Sequence, residues 1–281
     1  MPYASSGGVR LYYEEAGAGT PILFVHEMAS DLRQWEQQVR YFSRQFRCIA
    51  YNARGYTPSD IPPNDDDYLY ETFVDDVGAV LDHLGVERAY LVGWSMGAYA
   101  ALLFGLRRPE QVKGIVATGV GSGSARGETE SFRASIAALA ATWREKGSAH
   151  CAEFIGASAS RLQLKRKDPR GWASFVKDLA EHSAEGMALT ILNYQGRRPS
   201  LFDFEDQFRA MKTPVLLALG DEDHACIETN MFLKRTIPGA GVWMAPQTGH
   251  APNLEDPAAF NRAAHDFIDA VERGAWFMGG E

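Results

Sequence analysis

Apolar runs of strand length alternate with amphipathic helical stretches along most of this chain, and that alternation restricts its fold more than any other feature. Consecutive strands joined through helices lie parallel, because a parallel pair needs a crossover of a dozen or more residues. The strand candidates are residues 9–15, 21–26, 46–51, 89–93, 112–118, 214–220 and 241–245. Between them, residues 71–84 set Phe73, Val74, Val77, Val80, Leu81 and Leu84 on one helical face. Residues 96–106 form a second helix, rich in Ala and Leu and closed by Arg107-Arg108-Pro109. Only the Gly-rich residues 16–20 join the first two strand candidates, so the sheet is expected to open antiparallel. The expected fold class is α/β, a mostly parallel sheet flanked by helices.

The rhythm breaks between about residues 121 and 207, where helical candidates at 128–146, 149–161, 170–182 and 184–194 follow one another without a strand. A helical insertion between two late strands reads as a cap over the C-terminal edge of the sheet, where open α/β sheets bind ligands. Residues 1–121 and 208–281 are thus assigned to a core domain and 122–207 to a helical cap.

Composition narrows the functional classes. With 46% hydrophobic and 23% charged residues in 281, a sizeable core is available. A net charge of -8 argues against nucleic acid, which needs clustered Lys and Arg. The short basic run Lys165-Arg166-Lys167, beside Asp168, reads as a solvated turn. No run approaches the roughly 18 apolar residues of a spanning helix, and the start shows no basic or apolar leader, so no membrane partner is expected. Cys48, Cys151 and Cys226 are odd in number and far apart, which suits a reducing cytoplasm and gives no metal framework. Cys48 reads as a buried small hydrophobe. No cofactor is implied, and the partner expected is a small-molecule substrate.

Chemistry enters at Gly93-Trp94-Ser95-Met96-Gly97, a Gly-x-Ser-x-Gly pentapeptide between the strand run Tyr90-Leu91-Val92 and the second helix. A sharp strand-to-helix turn forces its central residue into strained backbone angles and leaves no room for side chains beside it. The serine hydroxyl then projects above the sheet, next to the free N–H groups of a helix start. In this context Ser95 reads as a nucleophile rather than a helix cap.

On these residues the chain resembles the α/β-hydrolase superfamily of capped, esterase- and lactonase-like serine enzymes over nearly its whole length. The resemblance implies a general base after the last strand, and Gly249-His250-Ala251-Pro252 matches that position. It implies a carboxylate in a Gly-x-x-Asp turn, which selects Asp223 in Gly220-Asp221-Glu222-Asp223, with Asp221 and Glu222 as neighbouring competitors. Glu128 is the nearest carboxylate for relatives that place the acid after the preceding strand, and it lies far along. Two backbone N–H groups, of Met96 and Met28, are the expected oxyanion donors. Glu27 departs from the family, which has glycine after this histidine; its side chain shifts the loop, supplies a carboxylate to the pocket, or points away, the last being favoured. Asn52 and Thr57 depart in a second, structural segment, where Arg54 is expected to tie loops together. Pocket candidates are Glu27, Trp94, Trp143 and Tyr194, with Phe154 and Trp172 behind them.

The activity so implied is hydrolysis of a small carboxylic ester or lactone through an acyl-Ser95 intermediate. Alternatives on the same residues are cleavage of a C–C bond, an amide or a thioester, cofactor-free peroxidase- or dioxygenase-type chemistry, and a receptor module without turnover. Serine at position 95 excludes an aspartate-nucleophile dehalogenase.

Overall fold

The computed structural model describes residues 2–125, 127 and 129–279, with the backbone only at residue 129. Glu128, the alternative acid, lies outside the described residues.

Eight strands form one sheet in the order β1-β2-β4-β3-β5-β6-β7-β8. They are β1 (Tyr3–Ser6), β2 (Val9–Ala16), β3 (Pro21–Val25), β4 (Arg47–Tyr51), β5 (Ala89–Trp94), β6 (Val112–Thr118), β7 (Val215–Gly220) and β8 (Ala240–Ala245). From β4 to β8 every neighbouring pair is parallel. All residues of β5 and β7 are buried, as strands covered on both faces must be.

The antiparallel opening is present, with different neighbours from those a short connection suggests. β2 pairs with β1 and with β4, while β3 lies on the far side of β4. The connection at residues 16–20 straddles the start of β4: a Cβ on Gly17 (φ +79°) would lie 2.3 Å from the carbonyl oxygens of Ser43 and Phe46. Glycine lets the chain cross there where no side chain fits. β1 itself gave no sequence signal, being a four-residue edge strand.

The helices between strands are α1 (Glu36–Phe42), α2 (Tyr70–His83) and α3 (Met96–Arg107). Between β6 and β7 come α4 (Thr129–Gly156), α5 (Leu162–Lys167), α6 (Pro169–Ala180), α7 (Ala184–Leu189) and α8 (Glu205–Arg209). The last three are α9 (His224–Thr236), α10 (Pro252–Glu255) and α11 (Pro257–Glu272). Two expected helices run together as α4, broken only at Gly147, whose φ of 75° and ψ of 174° are not helical. The basic run is no turn: Lys165 to Lys167 end α5, and Lys167 Nζ donates to Thr248 Oγ1 at 2.8 Å.

That contact is one of several tying the α4–α7 segment to the sheet. Gln163 bonds Glu222, and Arg33 pairs with Asp178 and Glu181. Arg54 ties loops as expected, pairing with buried Asp76 and donating to Asp67 O at 3.0 Å.

Candidate active site

Ser95 alone makes the turn between β5 and α3, at φ 50° and ψ -108°. Such a conformation costs about 1–3 kcal/mol in a residue with a side chain and has to be held by its surroundings. Ser95 N–H donates to Thr118 O at 2.7 Å, and Ser95 O accepts from Tyr99 N–H at 3.0 Å. The flanking glycines supply room. A Cβ on Gly97 would sit 2.1 Å from Val25 O, and one on Gly93 would sit 2.5 Å from Gly97 O.

His250, between β8 and α10, donates from Nδ1 to Asp223 Oδ2 at 2.8 Å. Asp223 directly precedes α9, and both side chains are buried. The imidazole is positioned from its backbone, where Trp94 Nε1–H donates to His250 O at 2.7 Å. Burial disfavours both charged forms, but the mutual attraction and hydrogen bond outweigh it. His250 titrates above 6.5, and Asp223, aided by Cys226 and Arg161, titrates below 3.8.

Cys226 approaches the same imidazole, with Sγ 3.9 Å from His250 Nδ1 and its thiol donating to Gly119 O at 3.3 Å. Asp223, Cys226 and His250 present atoms within 4.8 Å of one another, a spacing that suits a cation. Burial drives the Cys226 thiol far above its ordinary range, however, and a protonated thiol is a poor ligand. Hydrogen bonding around the imidazole is the better description of this trio.

Ser95, Asp223 and His250 line one cavity of about 260 Å³, together with Glu27, Met28 and Met96. Neither Met28 N–H nor Met96 N–H donates a hydrogen bond among the described residues, so both remain available to an oxygen in the cavity. The loop carrying Met28 is braced by Tyr56 Oη–H donating to Met28 O at 2.8 Å. Buried His26, kept neutral by desolvation, braces it too, accepting from Ala53 N–H at 3.0 Å and donating to Glu27 O at 2.6 Å.

The family model described as alpha/beta hydrolase fold matches residues 20–257. The chain belongs to the α/β-hydrolase family. It is accordingly an enzyme, a hydrolase. This α/β-hydrolase is 26% identical over 244 residues to 3-oxoadipate enol-lactonase 2 of Acinetobacter baylyi, covering 86% of each chain. It is 34% identical over 113 residues to epoxide hydrolase 2 of Siraitia grosvenorii, a match covering 40% of this chain and only 36% of that one. Among solved structures, the enol-lactonase from Burkholderia xenovorans LB400 superposes with a TM-score of 0.83 at 23% identity, covering 95% of this chain and all of that one; this likeness concerns the fold.

Against the residues expected from the sequence, the hydrolase differs at the pocket wall. Glu27 does not point away. Its Oε1 pairs with Arg161 Nη2, and its Oε2 lies 3.5 Å from His250 Nε2, all within buried surroundings. Trp94, Trp143 and Tyr194 are fully buried and do not line the cavity. Trp94 lies under His250, and Tyr194 Oη–H donates to Met96 O at 2.8 Å from behind α3. Large rings on helices and strands bury more area inside the packing than on a cavity wall, which is where these three go. Phe154 is exposed, and Trp172 donates to Gly156 O within the α4–α7 segment.

Two pocket residues had no sequence signal. Arg161 and Arg198 both reach the cavity, from the segment read only as a run of helices. The guanidinium of Arg161 lies 5.4 Å from the Trp94 ring and 5.0 Å from the Phe175 ring, within cation–π range of both.

Proposed function

We propose that the chain hydrolyses a small carboxylic ester or lactone, with Ser95 as nucleophile, His250 as general base and Asp223 as the carboxylate that orients it. The observation that carries this reading is the 2.8 Å Asp223–His250 hydrogen bond opening onto the cavity that holds the strained Ser95. In that arrangement Asp223 fixes the proton on Nδ1, leaving Nε2 free to accept.

His250 Nε2 takes the proton as Ser95 Oγ attacks the substrate carbonyl carbon. The carbonyl oxygen becomes an oxyanion that the Met28 and Met96 N–H groups stabilise. Collapse breaks the bond to the leaving oxygen, which receives the proton from Nε2. For a lactone that alcohol stays tethered within the acyl group. Water, deprotonated by the same nitrogen, then attacks the acyl-Ser95 carbonyl; the acyl–Oγ bond breaks, Ser95 Oγ regains the proton from Nε2, and the acid is released. Ser95 Oγ makes no hydrogen bond within 3.5 Å among the described residues, and catalytic contacts of this kind commonly tighten only with substrate bound. Residues 122–207 act as a cap in this reading, supplying the wall opposite Ser95. The enol-lactonase relative, matched over most of both chains, supports the lactone side of the proposal. The test is turnover of 4-nitrophenyl acetate and butyrate by the intact protein: hydrolysis is expected, and inert behaviour toward both and toward simple lactones contradicts the reading.

A further inference from the structure

The cavity is lined by four formally charged side chains besides His250: Glu27, Asp223, Arg161 and Arg198. Three of them have a partner in the cavity wall: Asp223 is hydrogen-bonded to His250, and Glu27 is paired with Arg161. Arg198 has no carboxylate within 4.0 Å among the described residues, although it is 9% exposed.

Arg198 is nonetheless held firmly. Its Nε–H donates to Gln195 Oε1 at 2.9 Å and its Nη2 to Ser122 O at 2.6 Å. The guanidinium lies 4.7 Å from the centre of the Tyr99 ring and 5.6 Å from that of Phe132. A guanidinium carries five N–H donors, so these two bonds leave its Nη1 edge unused. That edge is not sealed in: Nη1 makes no hydrogen bond among the described residues yet keeps some exposure, unlike Arg161 Nε, which is buried without a partner. A buried cation without a counter-charge is costly unless something pairs with it. Its fixed fork suits a carboxylate, and the ring contacts orient it at little entropic cost. Val120, Ile136, Leu139 and Ile155 line the same cavity and give much of its wall an apolar surface.

We infer that Arg198 is a carboxylate-binding residue and that the substrate is an anionic ester or lactone, its carboxylate separated from the reacting carbonyl by an apolar spacer. This rests on the ester or lactone reading for the reacting end, while the anion site itself is independent of turnover. The anion gives the Arg198 guanidinium a counter-charge and sets which end of the substrate faces Ser95.

Binding to the Ser95→Ala protein separates the two claims, because no hydrolysis is needed. Monomethyl esters of succinate, glutarate, adipate and suberate are titrated by calorimetry beside the corresponding neutral dimethyl esters. At least one monoanion is expected to bind tenfold or more tighter than its neutral counterpart, the scale of one charge-assisted hydrogen bond. Arg198→Gln in the same background is expected to erase that preference, and Arg198→Lys to keep part of it. Equal binding of acids and diesters across the series overturns the inference, and needs no Arg198 variant to do so. A preference that survives Arg198→Gln overturns it as well, by assigning the anion to another cation. Failure of the intact protein on 4-nitrophenyl esters, with the acid preference retained, removes the esterase reading and leaves the anion site standing.

Discussion

Glu27 and His250 face each other across the cavity, with Glu27 Oε2 3.5 Å from the imidazole Nε2 that the proposed mechanism uses. A carboxylate there favours the imidazolium, adding to the effect of Asp223. Arg161 opposes it and is itself held by Glu27. The proposed base is thus tuned by a buried ion pair whose two members come from the β3–α1 loop and from the turn before α5.

A pH profile reads this tuning directly. His250 has to be neutral to accept a proton, so kcat/KM is expected to rise with pH through a midpoint above 6.5 and to be lost below it. Glu27→Gln removes a charge that raises that midpoint and frees the Arg161 charge that lowers it, so the acid limb should move to lower pH. A limb unchanged or moved upward contradicts this role for Glu27.

The same substitution leaves the Arg161 guanidinium buried without its partner. Losing one member of a buried pair costs about 3–5 kcal/mol, less whatever hydrogen bonding the amide retains. Denaturant unfolding of Glu27→Gln should therefore show a loss of roughly 2–4 kcal/mol.

The choice of acid is tested by paired amides. Asp223→Asn is expected to lower kcat by about 10³–10⁴-fold, because the amide favours the wrong imidazole tautomer. Asp221, whose Oδ1 accepts from Thr248 N–H at 3.2 Å, does not contact His250, and Asp221→Asn should change kcat only slightly. The reverse ranking reassigns the acid.

The turn at Ser95 depends on the absence of a side chain at Gly97, where a Cβ would meet Val25 O at 2.1 Å. Backbone on both sides leaves no flexible group to yield. Gly97→Ala should destabilise the fold by about 3 kcal/mol or more, measured by thermal unfolding, and a near-normal midpoint contradicts this packing.

Much of this was legible in the sequence, for identifiable reasons. Strand-length apolar runs reported β5, β6 and β7 because those strands are buried on both faces. Ser95 and His250 were legible because short motifs fix backbone turns, and turns are local. The pairing of β2 with β4 was not, since strand order depends on how residues 16–20 cross a neighbour distant in sequence. The cavity wall was least legible. An arginine in a helical stretch looks the same whether it faces water, as Arg273 does, or a cavity, as Arg161 and Arg198 do. Aromatic size likewise drew attention to Trp143 and Tyr194, which serve packing. Glu27 was visible as a departure from a motif, but its direction depends on Arg161, over a hundred residues away in the chain.

The most direct test of Ser95 as an activated nucleophile is intact-mass measurement after exposure to a fluorophosphonate probe, with Ser95→Ala in parallel. One adduct on the intact protein, absent from Ser95→Ala, together with an ester turnover that falls about a thousandfold or more in the variant, is the predicted result. A folded protein that takes no adduct, or an adduct that persists in Ser95→Ala, contradicts the assignment of Ser95 as the nucleophile.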